Sequence, residues 1–313
     1  MLRKMLRPEF RDLWYETTFG YEFTWVPKKS PYKVVNKYDE YDGYHRPFLL
    51  RMSHEDQDQI HAAINDIRNK FGERMAYPDV VKTKAEYDAL KGAHQVVHYD
   101  IDCLEVSTPA CTDWQWHIEY YRECDAIARK HGLIPYRVRG VEQTHDMHVN
   151  VGIPNISYQE NHRVHERLNL FYMMHPVLSW IFAAAYNNDT ARIPIGAHEY
   201  GILRPKCEFG GSRYIEFRAP CMPKTLLEIR AIGEFHRKLC ALAGSIREDD
   251  FADFADNFRY RQHEARMAII TFEECMQDFA FWCNLLDVDI RIFNRMAHHN
   301  LWRRLKYYPE CRI

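Results

Sequence analysis

An acid and a base two residues apart in S-R-Y-I-E-F-R-A-P, Ser212 to Pro220, could hold a metal ion and a phosphate side by side. Side chains alternate along a strand, so Tyr214, Glu216 and Arg218 share one face while Ile215, Phe217 and Ala219 share the other. The same pattern also suits an amphipathic strand carrying a Glu216–Arg218 ion pair, and the stretch alone leaves both readings open. Three further polar residues stand among apolar neighbours in strand-like stretches: Glu22 in T-F-G-Y-E-F-T-W-V, Glu105 in L-E-V-S-T-P and His148 in H-D-M-H-V-N-V. Hard cations such as Mg2+ take carboxylate oxygens and serve phosphates. An arginine nearby neutralises charge on a transferring phosphoryl group. Brought to one sheet face, three carboxylates and an imidazole would make a two-metal phosphate site.

Other chemistries find less support. His145 and His148 read as an H-x-x-H zinc pair, but on a strand that spacing sends the two rings to opposite faces. No P-loop, Rossmann glycine fingerprint or nucleophile elbow occurs. His162 and His165 fall on a helical stretch and read as solvated face residues. Nine cysteines, an odd number without metal-knuckle or C-x-x-C spacing, read as reduced packing thiols.

Strands and helices must position these groups. Thr18 to Val26 predicts a strand with Phe19, Tyr21, Phe23 and Trp25 on one face and Gly20, Glu22 and Thr24 on the other. Gln95 to Pro109 predicts two strands meeting at Asp100–Asp102. Ile134 to Val141 and His145 to Val151 read as a hairpin, as do Glu199 to Pro205 and Arg213 to Ala219 across Gly210–Gly211. Helix starts are marked by Ser53 with Asp56, Thr83 with Glu86, Thr112 with Gln115 and Ser157 with Glu160. The last of these should run to about Asn187 with a kink at Pro176. From Thr225 onward the pattern is helical, with Leu226, Ile229, Ile232, Phe235 and Leu239 on one face. Pro27 to Pro47 reads as a long loop, of the kind that serves as a lid or binding loop. The irregular mixture predicts an α+β fold: an antiparallel sheet with helices on one side.

The whole chain bounds the rest. Its 313 residues suffice for one large domain or two ordinary ones, and 46% apolar with 27% charged residues is globular composition. A net charge of −2 gives no support to nucleic acid as a partner, and Arg303, Arg304 and Lys306 are too short a cluster to change that. The 20 tyrosines and 7 tryptophans suit a packed core and interfaces, so an oligomer is open. The basic N-terminus lacks an apolar stretch behind it, and the run near Val177 to Ala185 is far short of the ~20 residues of a membrane span. The expectation is a soluble cytoplasmic protein without membrane attachment.

Taken in order, Y-E-F, L-E-V-S-T-P, M-H-V-N-V-G and S-R-Y-I-E-F-R-A-P resemble the glutamine synthetase / γ-glutamylcysteine ligase superfamily of carboxylate–amine ligases. The style is closest to its amidoligase branch of phages and bacterial gene clusters, the phage-type COOH-NH2 ligases. The resemblance spans roughly Thr18 to Pro223, and M-H-V-N and I-E-F-R-A-P are its most specific pieces. It implies a curved antiparallel sheet that binds ATP and two or three Mg2+ or Mn2+ ions. It further implies a carboxylate that attacks the γ-phosphate to give an acyl phosphate, and an amine that displaces phosphate to form an amide or isopeptide bond. Carried onto this sequence, Glu22, Glu105, His148 and Glu216 would be metal ligands, with Arg218 on the γ-phosphate or the acyl phosphate. Arg204 and Arg213 would be further phosphate-side residues, and Asn150 would face the nucleotide or substrate.

One position departs from the pattern. Many relatives carry E-x-E on the first strand, whereas Thr24 stands here in place of the second acid, so one metal binds weakly or takes a ligand from Asp100 or Asp102. The resemblance implies a catalytic domain over residues 1–224, a helical extension over 225–313, and as partners a carboxylate donor and an amine acceptor, small molecule, peptide or protein. Host cytoplasm follows if the gene is a phage's. Two other functions fit the same residues: a catalytically degenerate binding or structural protein that kept the fold, and a metal-dependent hydrolase.

Overall fold

Strand β1, Thr18–Pro27, is the spine of the molecule, and its alternation sorts the whole sheet into two faces. Phe19, Tyr21, Phe23 and Trp25 are buried on one side, with at most 1% of their surface exposed. Gly20, Glu22 and Thr24 take the other, as the period-two rule requires. The structure is a computed structural model that describes residues 9–28, 53–72, 82–90, 97–100, 103–135, 147–175, 177–182, 203–207, 213–220, 222–247, 249, 251–252 and 272–298. Most of the loop expected over 27–47, the Gly210–Gly211 turn, Pro176, His145, Asp102 and the 303–306 basic cluster lie outside the described residues, as does the side chain of Asp100.

The strands are β1, β2 (Val97–Asp100), β3 (Cys103–Ser107), β4 (Leu133–Pro135), β5 (His148–Gly152), β6 (Leu203–Cys207) and β7 (Arg213–Phe217). They form one sheet in the order β2-β3-β1-β5-β7-β6, with β4 paired to the far end of β1. Every pairing is antiparallel. The helices are α1 (Glu9–Glu16), α2 (His54–Phe71), α3 (Lys84–Leu90), α4 (Trp114–Lys130), α5 (Tyr158–Met174), α6 (Val177–Trp180), α7 (Leu226–Ser245), α8 (Phe272–Leu285) and α9 (Asn294–Met296). Antiparallel strands with helices on the aromatic face give the expected α+β architecture. No described helix is long and apolar enough to cross a membrane.

Helix α7 lies across the sheet's aromatic face. Thr225 and Glu228 close a full capping box at its start, and Ile229, Ile232, Phe235 and Leu239 are fully buried. Tyr21 Oη donates to the Ile229 carbonyl at 2.7 Å, which ties helix to strand. A Cβ at Gly233 would overlap Tyr21 Oη, so only glycine lets α7 approach this closely. From α4, His117 Nε2 donates to the Phe19 carbonyl at 3.0 Å and its Nδ1 accepts from Tyr87 Oη at 3.1 Å. Beside it lies Cys111, one of six described cysteines, all buried and free.

Several expectations are corrected. The 134–151 hairpin does not form among the described residues: Ile134 pairs with Val26 of β1, and both edges of β5 are taken by β1 and β7. Asp113, not Thr112, caps α4, because its carboxylate accepts from Gln115 N at 2.8 Å. Helix α5 ends at Met174, just before proline removes a backbone donor, and the short α6 follows. His165 is buried rather than solvated, with Nε2 on the Leu203 carbonyl at 3.3 Å, because α5 packs that face onto β6. Strand β6 runs on to Cys207 rather than ending at Pro205.

Candidate active site

Cross-strand register gathers the polar residues. Glu22 stands opposite His148 on β5 and Ser107 on β3, and Thr24 stands opposite Glu105. Asn150 faces Gly20 on one side and Glu216 on the other, and Glu216 faces Arg204. Directly opposed residues in an antiparallel sheet share a face, so all of these line the side away from the aromatic core. Arg218 continues the alternation of Glu216. Arg213 follows Ile215 and Phe217 on the opposite side, where its Nη1 donates to the Ile156 carbonyl at 2.9 Å.

The centre is Glu22, His148 and Glu216. One ligand atom from each lies within 4.8 Å of the others, and among the described residues this is the group able to hold a metal ion. His148 Nδ1 donates to Glu22 Oε2 at 2.6 Å and stands 3.6 Å from Glu216 Oε1. Asn150 Nδ2 donates to the other Glu22 oxygen at 2.8 Å. Glu105 stands apart from this trio and pairs with His98 at 3.2 Å.

A residue absent from the sequence reading sits on the cluster. Lys206 Nζ lies 2.5 Å from Glu216 Oε1 and 3.9 Å from Glu22 Oε1. It follows Arg204 by two positions and so shares its face. Counting outward from the Gly210–Gly211 turn would have placed it opposite Ile215, one position away from Tyr214, where the register puts it. Arg218 completes the cationic side, its Nε 3.8 Å from Glu216 Oε2.

Charge and burial pull against each other here. Burial alone would push Glu22 up, but the hydrogen bond and charge of His148, with Lys206 and Asn150, hold it well below the usual carboxylate range. Burial disfavours charged His148, yet Glu22 and Glu216 overcome that and raise it. Lys206 follows the same pattern, lowered by burial and raised further by Glu22 and Glu216. Glu105 is pushed up, chiefly by burial and secondarily by the charge of Glu22.

No family model matches the sequence, and no curated protein does. Solved structures of similar outline include PafA, the ligase of the prokaryotic ubiquitin-like protein Pup, in complex with Pup; the TM-score is 0.47 at 9% identity, covering 96% of this chain and 67% of that one. GmaS bound to ADP gives 0.41 at 11% identity over 99% of this chain and 73% of that one, and ligand-free GmaS gives 0.46 at 11% over 98% and 73%. The likeness is distant. At these scores it decides neither ancestry nor chemistry.

The site's own chemistry provides a test of fit for a divalent cation. Two carboxylates and one imidazole form a mainly hard donor set that suits Mg2+ or Mn2+. Two buried oxygens, Glu216 Oε2 and Asn150 Oδ1, accept no hydrogen bond among the described residues. Buried acceptors are normally satisfied, and orphaned ones call for an ion or donor that the polypeptide does not supply. The residues fit the group.

Proposed function

We propose that this protein is an ATP- and divalent-cation-dependent carboxylate–amine ligase that forms an amide or isopeptide bond. One observation carries the reading: Glu22, His148 and Glu216 converge on one sheet face beside Lys206, Arg204 and Arg218. Anion-binding and cation-binding groups thus adjoin, as a phosphoryl-transfer site requires. The order of the motifs on β1, β3, β5 and β7 agrees with the superfamily that the sequence resembles.

In this reading Glu22, His148 and Glu216 would hold Mg2+ or Mn2+, which supplies charge neutralisation to the ATP phosphates when bound. Arg218, with Arg204 on the same face, screens the repulsion between two anions, the substrate carboxylate and the γ-phosphate. The carboxylate oxygen forms a bond to the γ-phosphorus as the bond to the ADP oxygen breaks, leaving an acyl phosphate. The amine then attacks the acyl carbon, loses a proton, and phosphate departs with the bridging oxygen. Asn150, fixed by its bond to Glu22, offers Oδ1 to a donor on the nucleotide or substrate.

A second reading has a specific observation behind it. Lys206 already pairs with both acids, and Thr24 replaces a carboxylate, as a non-catalytic descendant would allow. Phosphate release from Mg-ATP, screened against pooled amino acids, polyamines and peptides, separates the two. The ligase reading expects release that needs both a carboxylate and an amine. No release from any pool, together with no calorimetric binding at millimolar Mg-ATP, would leave the non-catalytic reading standing.

A further inference from the structure

Strand β6 brings a lysine into the carboxylate cluster, and its position is held rather than incidental. Five successive register pairs lock β6 to β7, from Leu203 opposite Phe217 to Cys207 opposite Arg213. They set Lys206 beside Tyr214, whose ring centroid lies 5.7 Å from the ammonium. The same ammonium lies 2.5 Å from Glu216 and 3.9 Å from Glu22, the two acids of the candidate metal group.

Among the described residues the remaining acids do not assemble a second group. Glu105 is engaged by His98 at 3.2 Å, and its direct neighbour across the strand is the buried Thr24, while Glu22 stands opposite Ser107. Charge gives the same answer. Without nucleotide, two divalent ions added to Lys206 and Arg218 would leave more uncompensated positive charge than one ion does, in a site where Glu216 is 2% exposed. Uncompensated charge in such surroundings is strongly penalised.

We propose that the Lys206 ammonium is a built-in cation of this site, occupying the flank of Glu216 that a further divalent ion would need, so that the cluster takes one divalent cation. The inference rests on the ligase reading for the presence of that cation. Lys206 is then a positioning residue: it fixes the Glu216 carboxylate and sets how strongly the cluster draws metal.

Mn2+ binding to the full chain, counted by the loss of the free-ion electron paramagnetic resonance signal, tests this without reference to turnover. Wild type is expected to bind one Mn2+ per chain. Lys206→Met keeps the aliphatic stem and removes the charge; it is expected to bind Mn2+ at least ~10-fold more tightly or to gain a second ion, since like charge nearby opposes cation binding. Lys206→Arg keeps the charge and is expected to retain the wild-type stoichiometry, which keeps the inference testable should the Met variant fail to fold. Two Mn2+ in wild type, or a Met variant matching wild type in number and affinity, would overturn the inference and leave the ligase reading intact. Absence of Mn2+ binding by wild type and variants alike at millimolar ion would overturn the ligase reading's metal centre, and the inference with it.

Discussion

Glu216 is the acid on which the site turns: it is 2% exposed, meets Lys206 and Arg218, and keeps one oxygen without a hydrogen bond. Glu216→Gln retains the shape and removes the charge, and His148→Ala removes the imidazole from the same group. Each should lower ATP turnover by at least about 100-fold, beyond the ~10–100-fold typical of residues that only support a metal ligand. Near-UV circular dichroism should show the fold retained. Undiminished turnover in both variants would remove these residues from the chemistry. Glu22, His148, Glu216 and Arg218 were legible in the sequence because strand alternation fixes facing without knowledge of the partner strand. Lys206 was not, because Pro205 reads as a strand end, whereas β6 continues two residues past it. Arg213 shows the converse: a charged residue in the right motif falls on the helix side by one position of alternation.

At the scale of elements, the close packing of α7 on β1 depends on one glycine. In an exposed helix Gly→Ala gains about 1 kcal/mol from propensity. At Gly233 the added methyl overlaps Tyr21 Oη and comes within 3.0 Å of Phe19 and Tyr21 ring carbons. Overpacking of this kind costs about 1–3 kcal/mol, so the clash wins. Gly233→Ala should therefore lower the urea midpoint. Adding Tyr21→Phe should restore part of the loss, less the bond to Ile229 that is worth about 1 kcal/mol. A midpoint raised by Gly233→Ala alone would contradict this packing. Capping motifs made α2, α3 and α5 legible, since each satisfies orphan amides from adjacent sequence, while α7 showed only through its apolar period. The partner of β4 was not legible, because Ile134 meets Val26 across more than a hundred residues of chain and no local signal encodes such a choice.

The whole molecule is a sheet with a dry helical side and a charged side, and its pH response should show both. His117 is pulled down to about 3 and His236 to about 4, each by burial against its bond to a backbone carbonyl. An unfolded histidine titrates near 6.5, so below that value the unfolded chain binds protons that the folded chain refuses. Stability should thus be level above neutrality and fall as pH drops, by about 3 kcal/mol per histidine at pH 4. Urea midpoints unchanged from pH 7.5 to 4.5 would contradict the buried neutral histidines. Neither burial was evident from sequence, where a histidine next to one aromatic is compatible with core or surface alike.

The central claim is the transfer of a phosphoryl group to a carboxylate on the charged face, and oxygen labelling reads that event directly. Pooled carboxylate donors labelled with oxygen-18 in both carboxyl oxygens, supplied with Mg-ATP and amine acceptors, would be followed by mass spectrometry of the released phosphate. The ligase account predicts that each phosphate carries one labelled oxygen, since the acyl phosphate keeps that atom when the amine displaces it. Phosphate that carries no label, having taken its oxygen from water, would contradict it and point to a hydrolase.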